Sequence, residues 1–464
     1  MLSLGNLAGK KYLVLGLGRS GRAAFRSLEA SGAEVHAWDD DCQARELAAA
    51  DGLSLSDPKL PDTLADLKAV VVSPGVPHLY PEPSKTVALA LDAGIPLNND
   101  IGLFFSAIRN DGILSAGAAG QIIAVTGSNG KSTTTALINH VLNASGRESR
   151  AAGNIGKAVL ELSGIEGFVV LEISSYQAEL AQCLDPDIAV FLNFSPDHVE
   201  RHGGQGGYFA AKTNLFGGNS LHSGVIGVDE PEGRFLAARV EGRIGQPGTS
   251  RISVVDASRA VRAGVSCRNG VLVEYRDGRE ISSIDLSGCT NLQGTHNQQN
   301  ACAAYSACRS VGLASDEIAA AMTSFPGLAH RMQLVGNFRG IQCVNDSKAT
   351  NAKSAEMALR SFRRIRWIAG GLGKEGGLSS LTEGLENVEK AYLIGRSADE
   401  FAAWLEPLNH EICGDMANAV KKAFSDAVPG DTILLSPAAA SFDQYQDFER
   451  RGEHFVREIQ NLTG

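Results

Sequence analysis

Gln121-Ile122-Ile123-Ala124-Val125-Thr126-Gly127-Ser128-Asn129-Gly130-Lys131-Ser132-Thr133-Thr134 decides how this chain is read: an apolar strand runs into a glycine-rich loop that ends in Lys-Ser-Thr. The two glycines let the backbone curl so that consecutive N–H groups face one point, and the helix that follows adds the partial positive charge of its first turn. Such a crook takes an anion. Lys131 reaches outer phosphates as a point charge, the Ser132 hydroxyl takes one ligand position on a magnesium ion, and Gly127, Ser128, Asn129, Gly130 and Thr133 line the phosphate path. Only two residues separate Gly127 from Gly130, so the loop is a short variant of the general pattern, which has four between its first glycine and Gly-Lys. Gly-Ser-Asn-Gly in isolation also fits a capped surface turn. The apolar run ahead of it and the face formed by Leu137, Ile138, Val141 and Leu142 behind it supply the strand and helix that phosphate binding requires.

Outward from the loop, a length of 464 residues predicts about three domains. The expected architecture is three consecutive α/β domains. A Rossmann-like domain spans residues 1–103, a central P-loop ATPase-like domain with a mostly parallel sheet and a small antiparallel extension spans 104–326, and a second Rossmann-like domain spans 327–464. The first opens with a strand over Lys11–Leu15, the turn Gly16-Leu17-Gly18-Arg19-Ser20-Gly21, a helix to Ser31, and a strand over Glu34–Trp38 followed by Asp39 and Asp40. A Gly-x-Gly-x-x-Gly turn in that setting either seats a pyrophosphate or only permits close helix packing. A third strand, 69–72, enters Ser73-Pro74-Gly75, and the glycine-rich residues 115–120 read as a connector.

In the central domain, short apolar strands over 168–173 and 188–194 continue a parallel sheet, and the alternating pieces within 224–287 read as the antiparallel extension. The third domain has strands at 341–345, 365–369, 391–394 and 432–435, each ending in polar or glycine residues where open α/β sheets gather their binding groups.

A net charge of -10 and a pI near 5.6 argue against a nucleic-acid surface. No apolar run approaches bilayer length, and the chain enters a strand almost at once, so the expectation is a cytoplasmic protein with small-molecule partners and neither nucleic acid nor membrane among them. Eight cysteines without a Cys-x-x-Cys pair read as reduced packing residues.

Three further residues carry chemistry. Glu172 ends an apolar strand in the domain of the phosphate loop, where a carboxylate either ligates magnesium or pairs with an arginine. His198, in Asp197-His198 just past another strand, is a second metal ligand or a surface histidine. Lys212 follows in Tyr208-Phe209-Ala210-Ala211-Lys212.

Taken with the loop at 126–133, these and residues 153–156, 172–177, 296–300, His330-Arg331 and 345–351 resemble the Mur ligase family, the ATP-dependent amide ligases of peptidoglycan precursor synthesis. The likeness runs through nearly the whole chain in family order, and residues 345–351 and 435–444 are most similar to the member that adds D-glutamate. The resemblance implies that a carboxylate of UDP-N-acetylmuramoyl-L-alanine attacks the γ-phosphate of ATP, and that the amine of D-glutamate converts the resulting acyl phosphate to an amide. It implies two Mg2+ ions, one on Ser132 and Glu172 and one on His198, with Lys212 carried as a carbamate that ligates metal. Asn300 contacts adenine, while Arg331 and Asp346 reach ATP from the third domain, whose closure completes the site. Lys348, Thr350, Lys374, Ser441 and Phe448 surround the incoming amino acid. The resemblance also implies that Gly18, Arg19, Ser20, Asp39 and Ser73 take the uridine diphosphate and that Asn154 is a substrate-binding residue. A monomer is expected.

Residues 372–377 are more glycine-rich than the corresponding loop of some members. Three other readings compete: a nicotinamide-dependent oxidoreductase built on Gly16–Gly21, which leaves the phosphate loop unexplained; a nucleotide hydrolase with no acceptor; and a folylpolyglutamate-type ligase sharing the loop and lysine.

Overall fold

The strand ahead of the glycine loop lies inside the largest of three sheets, paired in parallel on both sides. Ile122, Ile123, Ala124 and Val125 are buried there because helices cover both faces, which is why the strand is apolar throughout rather than alternating. The computed structural model describes residues 1–110, 121–197, 199–244, 251–292, 294–373, 377–379 and 381–463. His198, Lys374 and the glycine-rich connector at 115–120 lie outside the described residues. The chain divides into two units, Met1–Pro326 and Gly327–Gly464.

The first unit holds two sheets. One consists of β1 (Lys11–Leu15), β2 (Glu34–Trp38), β3 (Leu67–Val72) and β4 (Leu97–Asn98), all parallel in the order β2-β1-β3-β4. The other has nine strands: β5 (Gln121–Thr126), β6 (Ser149–Gly153), β7 (Phe168–Glu172), β8 (Ile188–Phe191), β9 (Ser223–Gly227), β10 (Arg251–Asp256), β11 (Gly264–Arg268), β12 (Val271–Arg276) and β13 (Arg279–Asp285). Their order is β13-β12-β11-β10-β9-β8-β5-β7-β6.

The expected antiparallel extension over 224–287 needs correction. Strands β9, β10 and β11 continue the parallel sheet, and only β12 and β13 run antiparallel. The helix Pro231–Ile244 returns the chain between β9 and β10, as a parallel pair requires.

Both sheets of this unit share a core. Ile122, Ala124, Val169 and Leu171 on one face of the large sheet cluster with Phe104 and Phe105, and with Ala23, Phe25 and Leu28 of the helix Arg19–Ala30. Backbone ties reinforce the join, from Leu2 N and Ser27 Oγ to the Leu160 carbonyl at 2.9 and 3.1 Å. On the opposite face, Leu137, Ile138, Val141 and Leu142 of the helix Lys131–Ala144 pack with Ala301, Cys302, Ala304 and Tyr305 of the helix Thr295–Ser310.

The second unit is one sheet of β14 (Gln333–Phe338), β15 (Ile341–Asn345), β16 (Ile365–Gly370), β17 (Val388–Ile394), β18 (His410–Gly414) and β19 (Thr432–Leu435), ordered β14-β15-β19-β16-β17-β18. Its strands are parallel except β14, which pairs antiparallel at the edge.

Candidate active site

The loop between β5 and the helix Lys131–Ala144 is held from several directions. Gly130 sits in the left-handed region at φ 83°, and a Cβ there would fall 2.1 Å from Asn300 Oδ1, so the residue is glycine on both conformational and steric grounds. Ser128 N donates to the Asn193 carbonyl and Asn129 N to Asn193 Oδ1, at 3.0 and 2.8 Å. The amides of Ser128 and Asn129 are therefore turned inward. The donors aimed at an anion belong to the first turn of the helix, such as those of Ser132 and Thr133, which the helix itself does not use.

Two lysines converge on one carbonyl. Lys131 Nζ folds back onto the carbonyls of Gly127 and Ser128, each at 2.9 Å, and Lys212 Nζ reaches the same Gly127 carbonyl at 2.7 Å. Lys212 is only 1% exposed and lies over the ring of Tyr208 at 4.3 Å. Burial, with the charge of Lys131 adding to it and Asp197 opposing, brings its amine down to about 6, so it is largely neutral at pH 7.

Glu172 ends β7, the strand next to β5. Its backbone is in register with Val125, one strand away from the start of the loop. Oε1 accepts a hydrogen bond from Asn154 Nδ2 at 2.7 Å, while Oε2 is buried and has no hydrogen-bond partner among the described residues. Among the described residues the arginine pairing is not observed; Asn154 takes the place of a counter-ion. An unpaired buried carboxylate oxygen beside a phosphate loop fits a divalent cation, and Ser132, also buried, stands in the first turn of the adjoining helix. Asn300 Oδ1 accepts from Thr134 Oγ1 at 3.2 Å, placing this residue against the outer wall of the loop.

The other glycine turn lies at the carboxyl edge of the four-stranded sheet. Leu17 N donates to Asp39 Oδ2 at 2.7 Å, Ser73 Oγ donates to the Gly16 carbonyl at 2.7 Å, and a Cβ on Gly21 would strike that carbonyl at 1.8 Å. Gly18 caps the helix Arg19–Ala30 without a side-chain acceptor. The Arg19 guanidinium donates to the Gly156 carbonyl, and Ser20 neighbours the buried Asp100, whose carboxyl is pushed up by burial against the opposing hydrogen bond from Gln177. Gly18, Arg19, Ser20, Asp39 and Ser73 thus gather at one edge. Arg19 and Asn154 meet the same loop after β6, so this edge and Glu172 are connected through residues 153–156.

Within the second unit, Lys348 Nζ stands 5.6 Å from the ring of Phe448, whose carbonyl accepts from Ser347 Oγ at 2.8 Å. Thr350 follows in the same loop, and Ser441 is buried past the end of β19. Asp346 accepts from Ser436 Oγ and Met332 N at 3.0 and 3.1 Å, yet burial pushes its carboxyl up to about 7. Arg331 is exposed and acts on Asp346 through charge.

Two residues that sequence reasoning left unassigned belong here. Asn193 braces the loop as described, and Tyr208 Oη lies 3.2 Å from Ser128 Oγ while its ring supports Lys212. The i, i+4 spacing of Tyr208 and Lys212 on one helix was the available signal.

Fold and site define a phosphate-loop α/β protein with a half-buried lysine, a buried lysine and a buried carboxylate around one glycine-rich loop. The Mur ligase middle domain matches residues 125–308, and the Mur ligase glutamate ligase domain matches residues 330–439. The UDP-N-acetylmuramoylalanine--D-glutamate ligase of Dinoroseobacter shibae is 54% identical over 463 residues, covering 99% of each chain, and that of Ruegeria pomeroyi is 52% identical over 466 residues, again 99% of each. Among solved structures, UDP-N-acetylmuramate-alanine ligase MurC from Thermotoga maritima shares the fold with a TM-score of 0.58 at 16% identity, over 98% of this chain and 99% of that one. MurF ligase from Thermotoga maritima in complex with ADP has a TM-score of 0.56 at 16% identity, over 98% and 96%. The chain belongs to the Mur ligase family, and it is an ATP-dependent amide ligase.

Proposed function

We infer that this chain joins D-glutamate to UDP-N-acetylmuramoyl-L-alanine at the expense of ATP, in the cytoplasm and as a monomer. The observation that carries the reading is the convergence of Lys131 and Lys212 on the Gly127 carbonyl, with Glu172 Oε2 on the next strand lacking a hydrogen bond among the described residues, in a chain 54% identical along its length to a ligase of that name. Residues 1–103 take the sugar nucleotide through Gly18, Arg19, Ser20, Asp39, Ser73 and, from the neighbouring domain, Asn154. Residues 104–326 take ATP, and 327–464 take D-glutamate through Lys348, Thr350, Lys374, Ser441 and Phe448.

Phosphoryl transfer asks the protein for position and charge rather than a nucleophile. The helix amides and Lys131 neutralise the β- and γ-phosphates, Asn300 holds the base side, and Arg331 and Asp346 complete nucleotide binding. The substrate carboxylate attacks the γ-phosphorus, ADP leaves, and the D-glutamate amine displaces phosphate from the acyl carbon. Glu172, Ser132 and His198 would hold magnesium, which supplies charge neutralisation along the phosphates. Lys212 as a neutral amine adds carbon dioxide: a nitrogen–carbon bond forms, one proton leaves, and the side chain gains an anionic oxygen in place of an amine that would repel metal when protonated. Its buried setting and lowered basicity support that assignment.

An ADP-release assay with UDP-N-acetylmuramoyl-L-alanine and a panel of D- and L-amino acids tests the reading. Turnover requires magnesium and D-glutamate; ADP release indifferent to the acceptor would replace ligation with simple hydrolysis. Incubation with 13C-bicarbonate gives a carbamate carbon resonance that disappears in Lys212→Met, and its absence in the wild-type chain removes the carbamate.

A further inference from the structure

Away from the phosphates, a carboxylate stands between two buried histidines. His78 lies in the loop that leaves β3, five residues after Ser73, and is 4% exposed. His202 is 2% exposed and closes the short turn Val199–His202 ahead of the helix Gln205–Thr213 that carries Tyr208 and Lys212. Between them, Glu179 on the helix Ser175–Leu180 brings Oε2 to 2.8 Å from His78 Nε2 and Oε1 to 3.1 Å from His202 Nδ1. Each contact sets a ring nitrogen against a carboxylate oxygen within hydrogen-bond distance, in a confined site.

The surroundings leave the trio little freedom. His202 Nε2 is 2.9 Å from Ser175 Oγ, and its ring stacks on Tyr176 at 5.2 Å with the planes 9° apart. On the other side it leans on Tyr208 at 5.3 Å. Gly203, the next residue, passes so close to Tyr80 that a Cβ would lie 2.7 Å from that ring. Burial would raise the Glu179 carboxyl, but its contacts with His202 and His78 outweigh burial and bring it to about 2, so the carboxylate stays ionised at any working pH. The trio itself lies outside the phosphate loop and the glycine turn. The segments it joins carry residues of both.

We propose that Glu179 is a positioning residue: held by His78 and His202, it fixes the loop that follows the sugar-nucleotide edge and the lysine-bearing helix in a single register, so that the acyl carboxylate meets the phosphate loop at reacting distance. The inference rests on the ligase reading above in one respect, that Lys212 and Ser73 serve the same reaction. Its energetic logic is that of proximity, where a displacement near 1 Å lowers a rate by roughly 10²-fold while leaving each substrate's own contacts in place.

Ligation kinetics of the full chain test this, with wild-type turnover in the same assay judging the ligase reading separately. Glu179→Gln, His78→Ala and His202→Ala each lower kcat about tenfold or more, with the KM for ATP within about twofold of wild type. His78→Gln and His202→Asn each place an amide N–H where the ring nitrogen facing Glu179 stood, and each restores most of the lost kcat. Because the three side chains act as one unit, the double variant His78→Ala/His202→Ala is no slower than the worse single one. A kcat within twofold of wild type in Glu179→Gln, measured well below its melting temperature, overturns the proposal. So does a double variant whose defect is the product of the two single defects, or an alanine defect that the amide variants fail to relieve. Should Glu179→Gln not fold, the two histidine series decide the question by the same criteria.

Discussion

Two strand–glycine–helix turns in Met1–Pro326 look alike in sequence and differ in what fills them. In the turn after β1, protein groups occupy the crook: Asp39 accepts the Leu17 amide, Ser73 caps the Gly16 carbonyl, and Gly21 exists to let helix and strand touch. In the turn after β5, the groups that gather are lysines and a carboxylate instead. Lys131 and Lys212 crowd one carbonyl, and a carboxylate oxygen of Glu172 has no hydrogen bond among the described residues. A satisfied turn positions a substrate; an unsatisfied one is completed by it.

That contrast gives variants of graded severity. Lys131→Ala removes the ammonium of the loop, and kcat/KM falls by about 10³-fold or more in the ADP-release assay. Lys212→Met keeps the volume and loses the amine, lowering kcat by about 10²-fold with the fold intact by circular dichroism. A loss in Lys131→Ala smaller than about tenfold erases the distinction between the turns.

Gly130→Ala strains a left-handed position and drives a methyl group into Asn300. About 1–2 kcal/mol of stability is lost, seen by urea denaturation, and nucleotide affinity by calorimetry weakens about tenfold. Asp39→Ala acts on the other turn alone: the Leu17 amide loses its acceptor, the KM for the sugar nucleotide rises about fivefold to tenfold, and the KM for ATP is unchanged. Equal effects of Asp39→Ala on both KM values would mean the turns are not separable.

The smallest effect concerns pH. Because the Lys212 amine is brought down to about 6 in the folded chain from an ordinary 10.5, the unfolded state binds more protons between those values. The contribution of this group to stability therefore grows as pH rises through that window and shrinks as pH falls toward 6. Thermal midpoints from pH 6 to 8 in bicarbonate-free buffer have a steeper upward slope for wild type than for Lys212→Met.

Much of this was legible in the sequence because both turns combine a buried parallel strand, apolar throughout, with glycines whose roles are steric. The parallel direction of β9 to β11 was not, since a short alternating strand reads the same either way and the connection decides, a helix between β9 and β10 and residues 257–263 between β10 and β11. Strands β4, β14 and β18 escaped for other reasons. β4 has two residues, and the other two are edge strands whose polar residues, such as Asn337, His410 and Glu411, dilute the apolar signal. At the site, lysine, serine and glutamate announce themselves by motif. Asn193 and His78 act through tertiary approach from distant segments, which no local spacing encodes.

The central claim, that this loop transfers a phosphoryl group to a carboxylate and not to water, is tested most directly by isotope. With UDP-N-acetylmuramoyl-L-alanine labelled with 18O in its carboxylate, ligation through an acyl phosphate delivers one 18O atom to each phosphate released. Phosphate free of label, formed in step with the amide product, would contradict it.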